Sequence, residues 1–358
     1  MGLWGLRGDR YPNLAPTHVK LKGCLSVILI LICMNLNSHI TKPDHLDQPD
    51  AWLYDRSVLG WILNPTLSKQ LPFLYQIFGL YCYLYFNLTG KNYLKGGREL
   101  FRFLSGVFFK LSPDQYLELQ LSGYKVFLDP LDMRLFQVVN ELATKDTDTR
   151  VLLHLLAEGD TFLDVGANHG SFAIVASKLV GASGFVVAVE PQPRLAKALG
   201  KSLTANALCK FQIHNLAIGN SDGEIELLVP IGTSGAAGVF PEHSATHKYN
   251  AIKVPIRRFD DLVDWQSFSG KVLLKLDVEG SECAFLLGAS KMITSLKPIL
   301  IIEVHPTSLK AAGATGEELK QLLQELGYTS YAEINDCDRT FALKDLNTDI
   351  QRNVVMMR

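Results

Sequence analysis

Short apolar runs separated by amphipathic segments fill the chain between residues 160 and 305. The runs are continuous rather than alternating, which is typical of strands that helices cover on both faces. Leu195, Leu199 and Leu203 recur at helical spacing and predict a helix over Pro193–Ala207. The pattern predicts an α/β domain with a parallel sheet, whose strands lie at Phe162–Val165, Phe185–Val189, Phe211–His214, Val272–Leu276 and Pro298–Val304.

The flanking segments predict further elements. Gln115–Leu128 alternates in polarity and is interrupted by a Ser-Gly pair, which favours a hairpin. Thr315 and Glu318 form a capping box ahead of an amphipathic stretch that ends at Gly327, so we expect a helix there. The other predicted elements are helices at Leu135–Ala143, Val151–Leu156 and Ser171–Val180, and strands at Glu224–Val229, Tyr328–Ile334, Phe341–Leu343 and Asn353–Met357, the last two antiparallel to each other.

The N-terminal 110 residues differ in pattern and divide the chain into three parts. Residues 1–50 form a tail and linker with one apolar run, Cys24–Leu36, which is shorter than the roughly 20 residues that a membrane span needs. Translation from Met34 would remove most of this run. Residues 51–110 are rich in aromatic side chains and predict a mainly helical region, with a membrane-dipping helix as the less favoured alternative. Residues 111–358 are assigned to the α/β domain.

Charge and cysteine usage narrow the function classes. The 35 basic and 36 acidic residues give a net charge of −1, so no global field favours nucleic acid as a partner. The six cysteines form no C-x-x-C pair and no metal-like spacing, which is typical of free thiols in a reducing compartment. We therefore expect a cytoplasmic protein, and association with a membrane through the N-terminal region stays open but less favoured.

The stretch TFLDVGANHG, residues 161–170, predicts a strand that runs into a tight glycine loop and a helix. Gly166 and Gly170 permit positive φ and a close approach of the backbone to a ligand, and N–H groups at the helix start can face it. The pattern is typical of a small-molecule site, although glycine loops also join strands to helices for packing alone.

Glu190 closes the next apolar run and narrows the ligand class. An acid that ends the second strand of a βαβ unit can accept hydrogen bonds from both hydroxyls of a ribose. The loop Gly166–Gly170 lacks the middle glycine of the G-x-G-x-x-G pattern, which admits the pyrophosphate of a dinucleotide. S-adenosylmethionine has no pyrophosphate and needs an acid at each edge, so Asp164 and Glu190 favour it over NAD.

A second group of acids follows two later strands. Asp277 and Glu279 come directly after a buried strand, at the edge where ligands bind in open parallel sheets. Lys275, within this strand, either neutralises an acid or faces the site, and an ion pair without chemistry is the alternative. Glu303 and His305 end the following run. Glu279 and Glu303 could bind a divalent ion, but no ligand spacing in the sequence requires a metal.

Several linked motifs resemble the FkbM family of S-adenosylmethionine-dependent methyltransferases. In order and spacing they are FLDVGANHGSF, AVEPQP, LAIGNSDGEIEL, LLKLDVEGSE and LIIEVHP, and they cover about residues 150–330. The resemblance implies the class I methyltransferase fold, a Rossmann-like doubly wound sheet of seven strands ending in a reversed hairpin, and methylation of a hydroxyl on a sugar or natural product. It also implies a cofactor site, with Asp164, Gly166, Ala167, Asn168 and Gly170 at the methionine end, Glu190 at the ribose and Asn215 at the adenine-side turn, where many methyltransferases have an acid.

The acids and the resemblance together predict an in-line methyl transfer. A hydroxyl acceptor needs a base near the reacting methyl group. Asp277 is the first candidate base and His305 the second, while Glu279 would orient the hydroxyls of a small-molecule or glycan acceptor. Two other function classes stay open, namely a non-catalytic module that binds S-adenosylmethionine or another nucleoside, and an NAD-dependent oxidoreductase. The stretch Ile231–Asn250 is either a substrate lid or a disordered insertion.

Overall fold

The computed structural model describes residues 97–111, 114–121, 123–143, 148–231, 234–235, 237–239 and 249–358. The predictions for residues 1–50, for residues 51–96 and for most of the stretch Ile231–Asn250 lie outside these ranges and stay predictions. In the part of the chain that is described, none of the helices combines the length and the apolar composition that a membrane crossing needs.

A helix and a hairpin precede the sheet. Helix α1, Gly97–Leu111, leads to strands β1, Leu117–Leu121, and β2, Tyr124–Leu128, which pair antiparallel. Every second residue of β1 is buried, as a hairpin with one covered face requires. The hairpin prediction is confirmed, and helices α2, Leu135–Ala143, and α3, Val151–Leu155, also lie where the sequence predicts them.

Two strand–helix units open the central sheet. Strand β3 pairs parallel with β4, and β4 pairs parallel with β5. All residues of β3 are buried, in agreement with its continuous apolar run. Helix α5 begins with Pro193, whose missing N–H has no intrahelical partner to lose at this position. The bounds are β3 Thr161–Val165, α4 Ser171–Leu179, β4 Phe185–Val189, α5 Pro193–Asn206 and β5 Lys210–His214.

A small second sheet follows. Its strands are β6, Ala217–Ile218, β7, Gly223–Pro230, and β8, Tyr249–Arg257, in the order β6-β8-β7. The prediction of β7 is confirmed, whereas β8 was not predicted and includes Tyr249 and Asn250, the last two residues of the stretch predicted as a substrate lid or a disordered insertion. Strand β8 has a weak pattern of its own, because its stability comes from antiparallel pairing with β7 along its full length. The short helix α6, Phe259–Leu262, follows β8.

The second half of the central sheet returns to the first. Strand β9 lies between β3 and β10 and is parallel to both. Helix α10 begins at the predicted capping box of Thr315 and Glu318. The bounds are β9 Val272–Leu276, α7 Glu282–Gly288, α8 Ser290–Leu296, β10 Ile299–Val304, α9 Pro306–Ala311 and α10 Gly316–Glu325.

The C-terminal strands complete the sheet, and two expectations for them are wrong. The strands are β11, Ser330–Glu333, β12, Asp336–Ala342, and β13, Arg352–Met357. Strand β13 runs antiparallel between β10 and β11, which reverses the end of the sheet. The central sheet has eight strands rather than seven, in the order β12-β11-β13-β10-β9-β3-β4-β5, and β12 pairs with β11 instead of β13. The short connection from β11 turns β12 back onto it, and the mostly polar β12 tolerates a solvent-facing edge.

Two hydrophobic cores lie on opposite faces of the sheet. Neighbouring residues of one strand point to opposite faces, so Phe162 packs in the core beside α4 while Leu163 packs in the core beside α8 and α10. The hairpin of β1 and β2 belongs to the first core. Residues 117–128 therefore extend the α/β domain on one face, next to the loops that follow the parallel strands.

Candidate active site at the carboxyl ends of the parallel strands

Strands β3, β4, β9 and β10 are parallel, so the loops after them meet at one edge of the sheet. A cavity of about 310 Å3 opens at this edge. Of the residues predicted from the sequence, the cavity is lined by Gly166, Asn168, Glu190, Asp277 and Glu279. Described residues of the stretch Ile231–Asn250, Ser234 among them, also line it.

The glycine loop presses against the end of β9. Gly166 has a φ of 80°, and a Cβ atom built on it would lie 1.8 Å from the carbonyl oxygen of Asp277. Gly170 has a φ of 86° and would carry its Cβ into Leu199 of α5, at 2.1 Å. Gly166 therefore allows a close approach at the cavity, whereas Gly170 serves the packing of α4 on α5.

The amide groups of the loop are used within the protein. The N–H groups of Gly166 and Ala167 both donate to the carbonyl oxygen of Val189, each at 3.0 Å. The N–H of Asn168 donates to Glu190 Oε2 at 2.7 Å. The turn itself therefore uses these three N–H groups. Ala167 is buried and is not among the residues that line the cavity.

Glu190 is a buried acid that ends β4. Its Oε1 accepts a hydrogen bond from the N–H of Gln192 at 2.8 Å, and Glu190 as a whole is only 2% exposed to solvent. Burial raises the pKa of Glu190 to about 7, against the opposing effect of the two backbone N–H donors. Each carboxylate oxygen keeps a second lone pair, so the group can still take part in hydrogen bonds to a ligand in the cavity.

Asn168 and His169 connect the loop to neighbouring segments. Asn168 Nδ2 donates to Ser234 Oγ at 2.8 Å, which ties the stretch after β7 to the loop. His169 is fully buried, and burial lowers the pKa of its imidazole, so the ring is neutral. Its Nε2 accepts from the N–H of Asp129 at 3.2 Å, which leaves Nδ1 to donate to Asn168 Oδ1 at 2.8 Å.

Asp164 and Asn215 act behind the cavity surface. Asp164 Oδ2 accepts from the N–H of Ala173 in α4 at 3.0 Å, and burial raises the pKa of Asp164 to about 6 in spite of Lys275. Asn215 Nδ2 donates to the backbone oxygens of Glu190 and Pro191, both at 2.9 Å. Asn215 therefore fixes the turn after β5, and the neighbouring residues of that turn line the cavity.

Three carboxylates after β9 and β10 form an acidic cluster. Oxygens of Asp277, Glu279 and Glu303 lie within 4.8 Å of one another. Lys275 Nζ lies 3.0 Å from Asp277 Oδ2 and 3.9 Å from Asp164 Oδ1, which confirms that this lysine neutralises an acid. Burial alone would raise the pKa of Asp277, but the charges of Lys275 and Arg134 outweigh it and the pKa is lowered.

The pKa values of the two glutamates in the cluster are raised, in contrast to that of Asp277. Burial, and then the charge of Asp277, raise the pKa of Glu303 to about 8. The same two causes raise the pKa of Glu279 well above its usual value. The pKa of Glu303, at about 8, leaves this acid mostly protonated near pH 7, whereas the lowered pKa of Asp277 leaves that acid ionised.

His305 is directed to a helix. Its Nδ1 accepts from the N–H of Ser308 at 3.1 Å and caps α9. His305 is not among the residues that line the cavity. Because the cap occupies Nδ1, His305 is less suited than Asp277 as a candidate base.

Arg134 lines the cavity and was missed in the sequence. It follows β2 in a polar segment that also contains Asp129 and Asp132. Burial would lower the pKa of its guanidinium, but Glu141, Asp277 and other acids reverse this and raise it. Polar residues directly after a strand were the signal that could have found Arg134. The sequence predicts the hairpin, but no sequence rule indicates that it packs beside the cavity.

Comparison with known proteins adds the family. Residues 164–330 match the Methyltransferase FkbM domain. Over 207 residues the chain is 26% identical to the hexuronic acid methyltransferase AglP of Haloferax volcanii, covering 58% of this chain and 79% of that protein. A crystal structure of methyltransferase FkbM from Methylobacillus flagellatus matches with 15% identity and a TM-score of 0.35, over 63% of this chain and 54% of that one. An S-adenosylmethionine-dependent O-methyltransferase from Thermotoga maritima matches with 14% identity and a TM-score of 0.30, over 71% and 81%.

Proposed function

We propose that this chain, whose residues 164–330 belong to the FkbM methyltransferase family, transfers a methyl group to a hydroxyl oxygen of a sugar-like acceptor. The domain has the class I methyltransferase fold and its cofactor is S-adenosylmethionine, so the NAD-dependent alternative is abandoned. The similarity to a hexuronic acid methyltransferase supports a sugar acid as the acceptor class.

The cavity supports a cofactor position between Glu190 and Asp277. Glu190 lies where an acid can bind the ribose hydroxyls, after the second strand of the first βαβ unit. A side chain at position 166 would collide with Asp277, so glycine there lets the loop and Asp277 lie side by side in the cavity wall, where the methionine end would bind. Apolar side chains of Leu216 and Ile218 line the side on which an adenine ring would lie.

The observation that carries the proposal is the position of Asp277, which lines the cavity with Lys275 Nζ 3.0 Å from its Oδ2. When bound, S-adenosylmethionine supplies an electrophilic methyl group, whose transfer breaks the carbon–sulfur bond, forms a carbon–oxygen bond and releases the hydroxyl proton. Asp277 takes this proton on a carboxylate that is charged at neutral pH. Its side chain is 24% exposed, so it faces the cavity rather than the core.

Glu279 and Glu303 suit an acceptor that carries several hydroxyls. A protonated carboxyl group both donates and accepts a hydrogen bond, as a sugar hydroxyl does. Glu303 already exchanges a hydrogen bond with Asp277 and accepts from Gln351 Nε2 at 2.9 Å. We infer that Glu279, at the cavity wall, orients the acceptor while Glu303 holds Asp277 in place.

The test is transfer of a 13C-labelled methyl group from S-adenosylmethionine to hexuronic acids, with the product located by NMR. We expect an O-methyl signal with the wild-type protein. Asp277→Asn keeps the size and most hydrogen bonds, and we expect it to lower turnover by about 10^2- to 10^4-fold, the range for loss of a general base. Binding of S-adenosylhomocysteine to this variant should stay within about threefold of the wild type.

Three outcomes decide between the readings. An N-methyl or ester product would contradict transfer to a hydroxyl. Turnover that is unchanged in Asp277→Asn would remove this residue as the base. Saturable binding of S-adenosylhomocysteine without transfer to any hydroxylated acceptor, in a protein shown to be folded, would favour the non-catalytic binding module.

A further inference from the structure

We propose that Arg134, which precedes the FkbM domain, binds the α-carboxylate of S-adenosylmethionine. The role would make the hairpin segment part of the cofactor site. The inference rests on the use of S-adenosylmethionine by the domain and is independent of the acceptor. It concerns residues 129–134, which lie outside the family match at residues 164–330.

The loop that carries Arg134 is held against the cofactor loop. Asp132 Oδ1 accepts from the N–H groups of Arg134 and Ser234, each at 3.0 Å. Ser234 in turn bonds to Asn168 in the glycine loop. The Asp132 carboxylate therefore connects Arg134 to Ser234, and Ser234 connects both to the glycine loop. These hydrogen bonds fix the backbone position from which the Arg134 side chain extends.

A second set of contacts fixes the start of the same loop. Asp129 receives Arg194 Nε at 2.6 Å and Arg194 Nη2 at 2.9 Å, a bidentate pair with helix α5. The N–H of Asp129 also donates to the neutral His169. Because both ends of residues 129–134 are bound to the domain, Arg134 is held at the cavity before any ligand arrives, which lowers the entropy cost of binding.

The guanidinium has unused hydrogen-bonding capacity. Its Nε is buried and has no hydrogen-bond acceptor. Leaving a buried charged donor without a partner is costly, and such a group in a native protein calls for an explanation. A carboxylate matches the planar fork of arginine with two parallel hydrogen bonds, and the α-carboxylate of the cofactor is a ligand group of this geometry.

The charges around Arg134 fit this ligand. S-adenosylmethionine carries a sulfonium, an ammonium and one carboxylate, so it needs more negative than positive partners. The interactions that act on Arg134 come from Glu141, Asp277, Asp132 and Glu279. An environment of several acids around one arginine suits a ligand with two positive groups and one negative group. An acceptor whose only charge is a carboxylate fits it less well.

The test compares two ligands that differ in the amino acid end. S-adenosylhomocysteine carries the α-carboxylate, whereas 5′-methylthioadenosine lacks the whole amino acid part. For Arg134→Met in the full chain we expect the calorimetric Kd of S-adenosylhomocysteine to rise by about 10- to 100-fold, as for loss of a charged hydrogen-bonded pair. The Kd of 5′-methylthioadenosine should stay within about twofold. Arg134→Lys keeps the charge without the fork and should lie between.

Arg339→Met, an exposed arginine on β12, is the matched control and should leave both affinities unchanged. Equal weakening of both ligands in Arg134→Met would mean a loss of structure and would overturn the proposal. Unchanged binding of S-adenosylhomocysteine in Arg134→Met would also overturn it. A rise only in the KM of a carboxylate-bearing acceptor would mean that Arg134 binds the acceptor and would overturn the proposal as well. If the wild-type protein bound neither ligand, the proposed function itself would fail along with this inference.

Discussion

Glu190 and Asp277 follow two strands of one sheet at the same edge, yet the pKa of Glu190 is raised and the pKa of Asp277 is lowered. The pKa of Glu190 rises to about 7, because burial dominates and its hydrogen-bond donors are two backbone N–H groups. The pKa of Asp277 falls, because Lys275 lies 3.0 Å away and Arg134 adds a second positive charge. Both acids follow apolar strands, so the strand pattern does not distinguish them.

In the proposed mechanism, this difference distinguishes the acid that binds the ribose from the acid that takes the proton. A neutral or half-ionised acid that the backbone holds rigidly suits recognition of ribose hydroxyls. An ionised acid with partial access to the cavity suits proton removal. Whether a cation lies beside the carboxyl group therefore decides in which direction its pKa shifts.

Removing the cation should give the largest effect on stability. Lys275→Met keeps the volume but leaves Asp164 and Asp277 without their shared partner. We expect a loss of about 2 to 4 kcal/mol in the free energy of unfolding, less than for a wholly buried pair since Asp277 is partly exposed. Urea unfolding measures this change.

The same variant makes a pH prediction with a definite sign. Without Lys275 the folded-state pKa values of both aspartates rise. When folding raises the pKa of an acid, the free energy of unfolding of the protein decreases as the pH rises through that pKa. The deficit of Lys275→Met should therefore be larger at pH 8 than at pH 5.5. Lys344→Met, at an exposed position, is the control. A variant as stable as the wild type at pH 8 would show that burial alone sets the behaviour of these acids.

Removing the acid at the other end should affect ligand affinity instead. Glu190→Ala deletes the carboxylate that we assign to the ribose, and we expect S-adenosylhomocysteine to bind about 10- to 100-fold more weakly in calorimetry. Asp277→Asn should change this affinity by no more than about threefold. If the two variants lost affinity equally, the assignment of separate binding and reacting ends would be wrong. A circular dichroism spectrum confirms that Glu190→Ala, which also loses two backbone hydrogen bonds, stays folded.

The smallest effect is expected at Glu303, whose pKa is raised to about 8. Glu303 keeps its proton in the folded protein. The folded protein therefore loses stability as the pH rises from the pKa of the unfolded state, near 4.5, through the folded-state pKa of about 8. Glu303→Gln imitates the protonated form, since its amide can donate to Asp277 and accept from Gln351. We expect equal stability at pH 5 and an advantage of about 1 kcal/mol for the variant at pH 8.5.

Thermal unfolding across this pH range is the measurement, with Glu224→Gln on the exposed side of β7 as the control. A constant difference between Glu303→Gln and the wild type at every pH would mean that Glu303 has an ordinary pKa. The acidic cluster would then be charged throughout, and a bound cation would become the better explanation of its geometry.

Much of the fold was accessible from the pattern because the buried parallel strands carry their own signal. The bounds of β4 and β9 agree with the predicted ones at both ends. Strand β8 was missed, since half of its residues face solvent and its position depends on β7. Strand β12 was predicted only at its C-terminal end, by Phe341–Leu343, because the mostly polar residues before Phe341 resemble a loop.

The sequence by itself determined the α/β class, the order of the strand ends and the identities of the acids at those ends, because periodicity and strand-end position are local properties of the chain. Tertiary structure alone decided which of these acids is charged, that Gly170 serves packing, that His305 caps a helix and that Arg134 reaches the cavity. Each of these depends on a contact with a residue distant in the chain, such as Asp277 with Arg134. Electrostatic energy and steric fit follow distance in space rather than in sequence.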